Sequence, residues 1–139
     1  MYFRVGIWVY LKRAIICGKN KEILGDINLS LRSAFPDCDL VTTDSGNQCI
    51  KIAQQKTPDL FIVSLDINDM CGFELIGKIR QIYDNYIIVI SNTGDDSELV
   101  RTMKEGADRY IKKPVRHLEL IARIKTLVSD EQTHNKINN

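Results

Sequence analysis

Short apolar runs alternate with stretches of helical periodicity five times along these 139 residues. Such a chain has few options: strands joined through helices pair in parallel, and the helices cover both faces of the sheet. Strands are expected at 13–17, 39–43, 59–64, 86–91 and 108–111, and helices at 20–34, 46–55, 72–82, 95–105 and 115–128. Leu60 to Val63 and Ile87 to Ile90 are unbroken apolar runs, the pattern of parallel strands buried on both sides. In the first helix Ile23, Ile27, Leu31 and Ala34 recur at helical spacing and form one stripe. Leu118, Ile121, Ala122, Lys125 and Val128 are expected to trace the matching face of the last, with the Lys stem along its edge. Asp44-Ser45-Gly46, Lys56-Thr57-Pro58, Asn92-Thr93-Gly94 and Lys113-Pro114 supply turn chemistry between elements. Five βα units in this order suit a flavodoxin-like α/β fold with strand order 2-1-3-4-5, whose ligands sit beyond the carboxyl ends of the strands. Those ends are Cys17-Gly18-Lys19, Ser64-Leu65-Asp66, Ser91-Asn92 and Ile111-Lys112-Lys113.

Composition removes several function classes. The chain is long enough for one domain with a real core. Its 19 basic and 18 acidic residues give a net charge of +1, so no direct nucleic-acid binding by this domain is expected. Cys17, Cys38, Cys49 and Cys71 are widely spaced and have no paired His, which reads as reduced thiols in a cytoplasmic protein without a metal or other cofactor. Residues 1–12 are apolar and aromatic but far short of the ~20 needed to span a bilayer. They are expected to pair or pack against the domain, with no membrane partner. Residues 129–139 are polar and read as a flexible tail or linker.

Two segments carry a family pattern. Pro58-Asp59-Leu60-Phe61-Ile62-Val63-Ser64-Leu65-Asp66-Ile67-Asn68-Asp69-Met70-Cys71-Gly72-Phe73-Glu74 resembles the third strand and following loop of bacterial response-regulator receiver domains. Lys104-Glu105-Gly106-Ala107-Asp108-Arg109-Tyr110-Ile111-Lys112-Lys113-Pro114 resembles their fifth strand. The resemblance covers residues 13–128 and implies a non-enzymatic signalling module. In that family an Asp at the end of the third strand accepts phosphate, eight residues before the Gly; counting back from Gly72 gives Ser64. The acidic pair that holds Mg²⁺ at the end of the first strand aligns with Gly18 and Lys19, which offer the metal no carboxylate. The resemblance also maps the switch hydroxyl to Ser91, the switch aromatic to Tyr110 and the phosphate-contacting lysine to Lys113. A serine hydroxyl cannot form an aspartyl phosphate and is a poor nucleophile without a base. The expectation is therefore an atypical receiver that signals by protein–protein contact.

Alternatives stay open. Asp66, two residues beyond Ser64, is a displaced candidate acceptor, or it forms a salt bridge with Lys19 or Lys113. A serine kinase could modify Ser64. An enzyme or redox protein on the same scaffold is a further class, although Cys17-Gly18-Lys19-Asn20-Lys21 lacks the spacing of a phosphate cradle. Finally, Glu119-Leu120-Ile121-Ala122-Arg123-Ile124 resembles a signature of OmpR/PhoB-type receivers, which dimerise through the fourth helix, fifth strand and fifth helix. That resemblance implies a homodimer using Met103, Asp108, Glu119, Ala122 and Arg123, and a possible output domain or partner protein.

Overall fold

The computed structural model describes residues 2–4 and 7–138, with side chains from residue 10 to residue 129. Two short strands, β1 (Tyr2–Arg4) and β2 (Ile7–Val9), pair antiparallel with each other, and β2 lies beside the last helix. The main sheet comprises β3 (Arg13–Cys17), β4 (Asp39–Thr43), β5 (Leu60–Ser64), β6 (Tyr86–Ser91) and β7 (Arg109–Lys112). Between and after them run α1 (Lys21–Ala34), α2 (Gly46–Gln55), α3 (Gly72–Ile82), α4 (Asp96–Glu105) and α5 (His117–Asn138). The sheet is parallel with order β4-β3-β5-β6-β7, which is 2-1-3-4-5 when β3 is counted as the first strand. This is the flavodoxin-like fold that the alternation of apolar runs and helices requires.

Strand periodicity divides the core in two. On one face Ile16, Ile62, Ile88 and Ile90 pack with Leu24, Ile27 and Leu31 of α1 and Leu120 and Ile124 of α5. On the other, Ile15, Phe61, Val63, Ile87 and Val89 meet Cys49 and Ala53 of α2 and Leu75, Ile76 and Ile79 of α3. Each apolar run is thus covered twice, which is why neither Leu60–Val63 nor Ile87–Ile90 carries a polar residue.

The expected face of α5 is wrong in phase. Leu120, Ile121, Ile124, Leu127 and Val128 are buried, whereas Leu118 is 80% exposed and Ala122 also faces solvent. Two stripes overlap here and share Ile121 and Val128. The one that includes Leu120, Ile124 and Leu127 buries more apolar area, so it turns inward. In α1, Ile27 and Leu31 are buried as expected, Ile23 and Ala34 pack at the margin, and Leu24 joins the core. Element ends otherwise differ from expectation by one or two residues, except that α5 continues from residue 128 to Asn138.

Candidate functional site

Loops at the carboxyl edge of the sheet are pinned by backbone hydrogen bonds. Gly18 N–H donates to Thr43 O at 3.0 Å, and Lys19 N–H to Asp66 O at 3.0 Å. Leu65 N–H reaches Ile90 O, and Lys113 N–H reaches Ser91 O at 2.7 Å. Asn20 then starts α1 by accepting from Ile23 N–H through its side chain. The five strand ends are therefore held as one rim, on which Gly18, Thr43, Ser64, Ser91 and Lys113 stand.

Ser64 is buried at the end of β5, where its Oγ accepts a long 3.4 Å bond from Asp66 N–H. Gly18 faces it closely: a Cβ at position 18 would stand 3.1 Å from Ser64 Cβ and 3.1 Å from Leu24 Cδ2. The remaining space among Gly18, Leu24, Ser64, Ile90 and Lys113 is a cavity of about 10 Å³. That is at most the volume of one water. Where the family resemblance calls for carboxylates around a cation, this chain has a glycine, a hydroxyl and a leucine side chain. The neighbouring Lys19 is exposed and brings positive charge to the rim. No cluster of carboxylate, His or Cys ligands able to hold a metal occurs among the described residues.

The salt bridge with Lys19 or Lys113, one of the two alternatives for Asp66, is not formed. Among the described residues the ion pairs join Arg13 to Asp39, Lys78 to Glu74, Arg80 to Asp108 and Arg123 to Glu119. Asp66 is exposed on the loop, and its backbone rather than its carboxylate ties it to Lys19. An exposed carboxylate keeps its hydration, so nothing forces it to pair.

Ser91 and Tyr110 meet on a residue the sequence analysis did not single out. Glu98, in the first turn of α4, accepts from Ser91 Oγ and from Tyr110 Oη, the latter at 2.7 Å, on the same carboxylate oxygen. Burial pushes the Glu98 carboxyl up, but hydrogen bonds from Ser91, Tyr110 and Thr93 outweigh it and hold it below its ordinary value. Tyr110 is pushed above the usual phenol value by burial, with Glu98 raising it further against the opposing bond to Ser91. A second cleft, of about 220 Å³, opens beside this group and is lined by Ser64, Asp66, Ser91 and Glu98 among others.

Asp69 was also missed. Its carboxylate accepts from Gly46 N–H at 2.7 Å, Asn47 N–H at 3.1 Å and Ser45 Oγ at 2.8 Å. It satisfies the N-terminus of α2 from the neighbouring loop, joining the ends of β4 and β5. Gly72 closes that loop: its N–H donates to Leu65 O, and a Cβ there would lie 2.5 Å from Leu65 Cα. A glycine at position 72 is thus a steric requirement of this loop closure.

On the α4–β7–α5 side, Val100 and Met103 are 53% and 43% exposed. Glu119 and Arg123 form an exposed one-turn pair at 4.0 Å, and Ala122 lies between them in sequence. Asp108 is engaged inward: its Oδ2 accepts from Arg80 Nη2 at 2.7 Å and from Ile87 N–H at 2.8 Å. All four cysteines are free. The Cys49 thiol and burial push Cys17 far up, and burial, followed by Asp59 and Asp39, pushes Cys38 up to about 11.

The parallel 2-1-3-4-5 sheet with helices on both faces is the fold of receiver modules of two-component signalling. The chain belongs to the response regulator receiver domain family, whose pattern matches residues 15–125. It is similar to the transcriptional regulatory protein KdpE of Mycobacterium tuberculosis, 31% identical over 102 residues, or 73% of this chain and 43% of that protein. The cell cycle response regulator CtrA of Brucella ovis is 29% identical over 123 residues, 88% of this chain and 52% of that one. The chain thus spans about half the length of these curated relatives or less. Among solved structures, a CheY-like receiver domain protein from Methanospirillum hungatei matches with a TM-score of 0.80 at 21% identity, covering 90% of this chain and 99% of that one. The receiver domain of a putative Luxo repressor protein from Vibrio parahaemolyticus matches with a TM-score of 0.82 at 16% identity, covering 92% and 98%. No helix among the described residues is long and apolar enough to cross a membrane.

Proposed function

We propose that this receiver signals through protein–protein contact without aspartyl phosphorylation. The observation that carries the reading is the strand-end triplet of Ser64, Gly18 and Lys19, with Leu24 filling the space beside it. A phosphoryl acceptor needs a carboxylate there, and its magnesium needs several oxygen ligands in octahedral array. Neither can be assembled from a glycine, a lysine and one hydroxyl. The output surface is the α4–β7–α5 face, where Val100 and Met103 offer apolar area and Glu119 and Arg123 offer charge for a second copy of the chain. A receiver without the modification must have its interacting state populated already, because phosphorylation in its relatives acts by shifting such an equilibrium.

Incubation with a small phosphodonor and Mg²⁺, followed by intact mass measurement, tests the reading. An unchanged mass is expected. An acid-labile phosphate adduct that disappears in Asp66→Asn overturns it and makes Asp66 a displaced acceptor.

A further inference from the structure

The Ser91 hydroxyl has one proton and two lone pairs, and all three are committed. Its oxygen accepts from Thr93 N–H at 3.1 Å and Gly94 N–H at 3.4 Å, so the proton points to Glu98 Oε1. The same oxygen takes the Tyr110 proton at 2.7 Å. Ser91 ends β6 and is 1% exposed, Tyr110 lies in β7, and Glu98 belongs to the first turn of α4. A single carboxylate oxygen therefore links two strands to one helix. Charge-assisted bonds of this kind are about twice as strong as neutral ones. The position also suits an anion, since the N-terminal end of a helix favours negative charge.

We propose that Glu98 is a built-in anion that holds Ser91 and Tyr110 together and thereby fixes α4 in one arrangement with no modification at Ser64. A phosphoryl group offers hydroxyls an anionic oxygen acceptor, and an ionised carboxylate offers the same chemistry from within the chain. Glu98 is a positioning residue: it sets the Tyr110 ring and the first turn of the helix that displays Leu99, Val100 and Met103. Asp95, close by, acts in the opposite sense by raising its pKa, as burial does, and the three hydrogen-bond donors prevail. This inference rests on the phosphate-free reading above.

Glu98→Gln is the test, because it keeps shape and helix propensity while removing the charge. Tyrosine ionisation is followed by ultraviolet absorbance in wild type, Glu98→Gln and Tyr110→Phe, the last identifying the Tyr110 contribution. Wild-type Tyr110 is expected to titrate above 10.0, and Glu98→Gln to bring it back toward that value. Amide exchange at Thr93, Gly94 and the first turn of α4 should quicken by roughly tenfold or more, the scale of a lost bond to a charged group. A Glu98→Gln protein that melts cooperatively and keeps both the Tyr110 titration and the wild-type exchange rates overturns the proposal. Intact mass after phosphodonor treatment separately reports on the phosphate-free reading, so the failure of one is distinguishable from the failure of the other.

Discussion

Gly18 and Ser64 stand so close that a Cβ at position 18 would lie 3.1 Å from the Cβ of Ser64. The contact is tight on a second side as well, where Leu24 Cδ2 lies at the same distance. Restoring carboxylates here therefore has a steric as well as an electrostatic cost. The triple variant Gly18→Asp, Lys19→Asp, Ser64→Asp should be less stable without metal, by about 1–3 kcal/mol, from crowding and like-charge repulsion. Mg²⁺ at a hundredfold excess over its dissociation constant should return about 2.7 kcal/mol, while the wild type stays insensitive. Thermal melting with and without Mg²⁺ decides it. A triple variant with neither change refutes the assignment of these positions to the degenerate pocket.

Arg80 predicts a second, purely structural effect. Its guanidinium donates to Gly106 O at 2.6 Å, Asn85 O at 2.5 Å and Asp108 Oδ2 at 2.7 Å, tying α3 to the loops flanking β6 and β7. Removing it leaves a half-buried carboxylate and three carbonyls, that of Tyr83 included, without that donor. Arg80→Met is expected to lower stability by about 2–3 kcal/mol, read by urea denaturation with the slope unchanged. A loss within a few tenths of a kcal/mol would show the network to be dispensable.

Much of the fold is legible in the chain because the central strands β5 and β6 are apolar on both faces and helices such as α1 show one stripe. The phase of α5 is not, since residues 118–128 support two overlapping stripes and packing against the sheet and α1 selects between them. At the site, Ser64 is reached by spacing from Gly72, Ser91, Tyr110 and Lys113 by spacing from the Lys113-Pro114 pair, and Gly18 and Lys19 by alignment of the helix start at Lys21-Glu22-Ile23-Leu24. Glu98 and Asp69 are not: one reads as an ordinary acidic residue in a first helical turn, the other as a loop acid. Their partners come from other strands and helices, and such long-range acceptors leave no local period to detect. Leu24 has the same history, since its role in filling the pocket depends on Gly18 being bare.

Asp69 makes the acid limb of stability testable. The Asn47 and Gly46 N–H groups hold its carboxyl below the ordinary value of 3.8; burial opposes them and the Ser45 hydroxyl adds to them. A carboxyl depressed in the folded state contributes stability that is fully present above the unfolded value and is lost as pH falls through the folded one. Asp69→Asn should therefore flatten the pH dependence of the denaturation midpoint below about pH 4. An acid limb that is equally steep in the variant would rule out this cap as its source.

The dimer prediction turns on what Arg123 can do besides its contact with Glu119. That contact is 4.0 Å long and roughly half exposed on both sides, so it is worth only about 0.3–0.5 kcal/mol. Little is lost when Arg123 exchanges its neighbour for a carboxylate of a second copy. Asp108 is a poor candidate for that carboxylate, because one of its oxygens is already engaged by Arg80 and Ile87. Glu119, held only by that weak exposed pair, is the better candidate. Arg123→Glu should replace attraction by repulsion across the axis and weaken association by roughly tenfold or more, the effect of about 1.4 kcal/mol. Val100→Glu tests the apolar part of the same face independently, by burying a charge if the dimer forms. Sedimentation of wild type and both variants over a concentration series gives the answer. A wild type that remains monomeric, or variants that associate as well as it does, would leave α4–β7–α5 as a solvated surface and move the output of this receiver elsewhere.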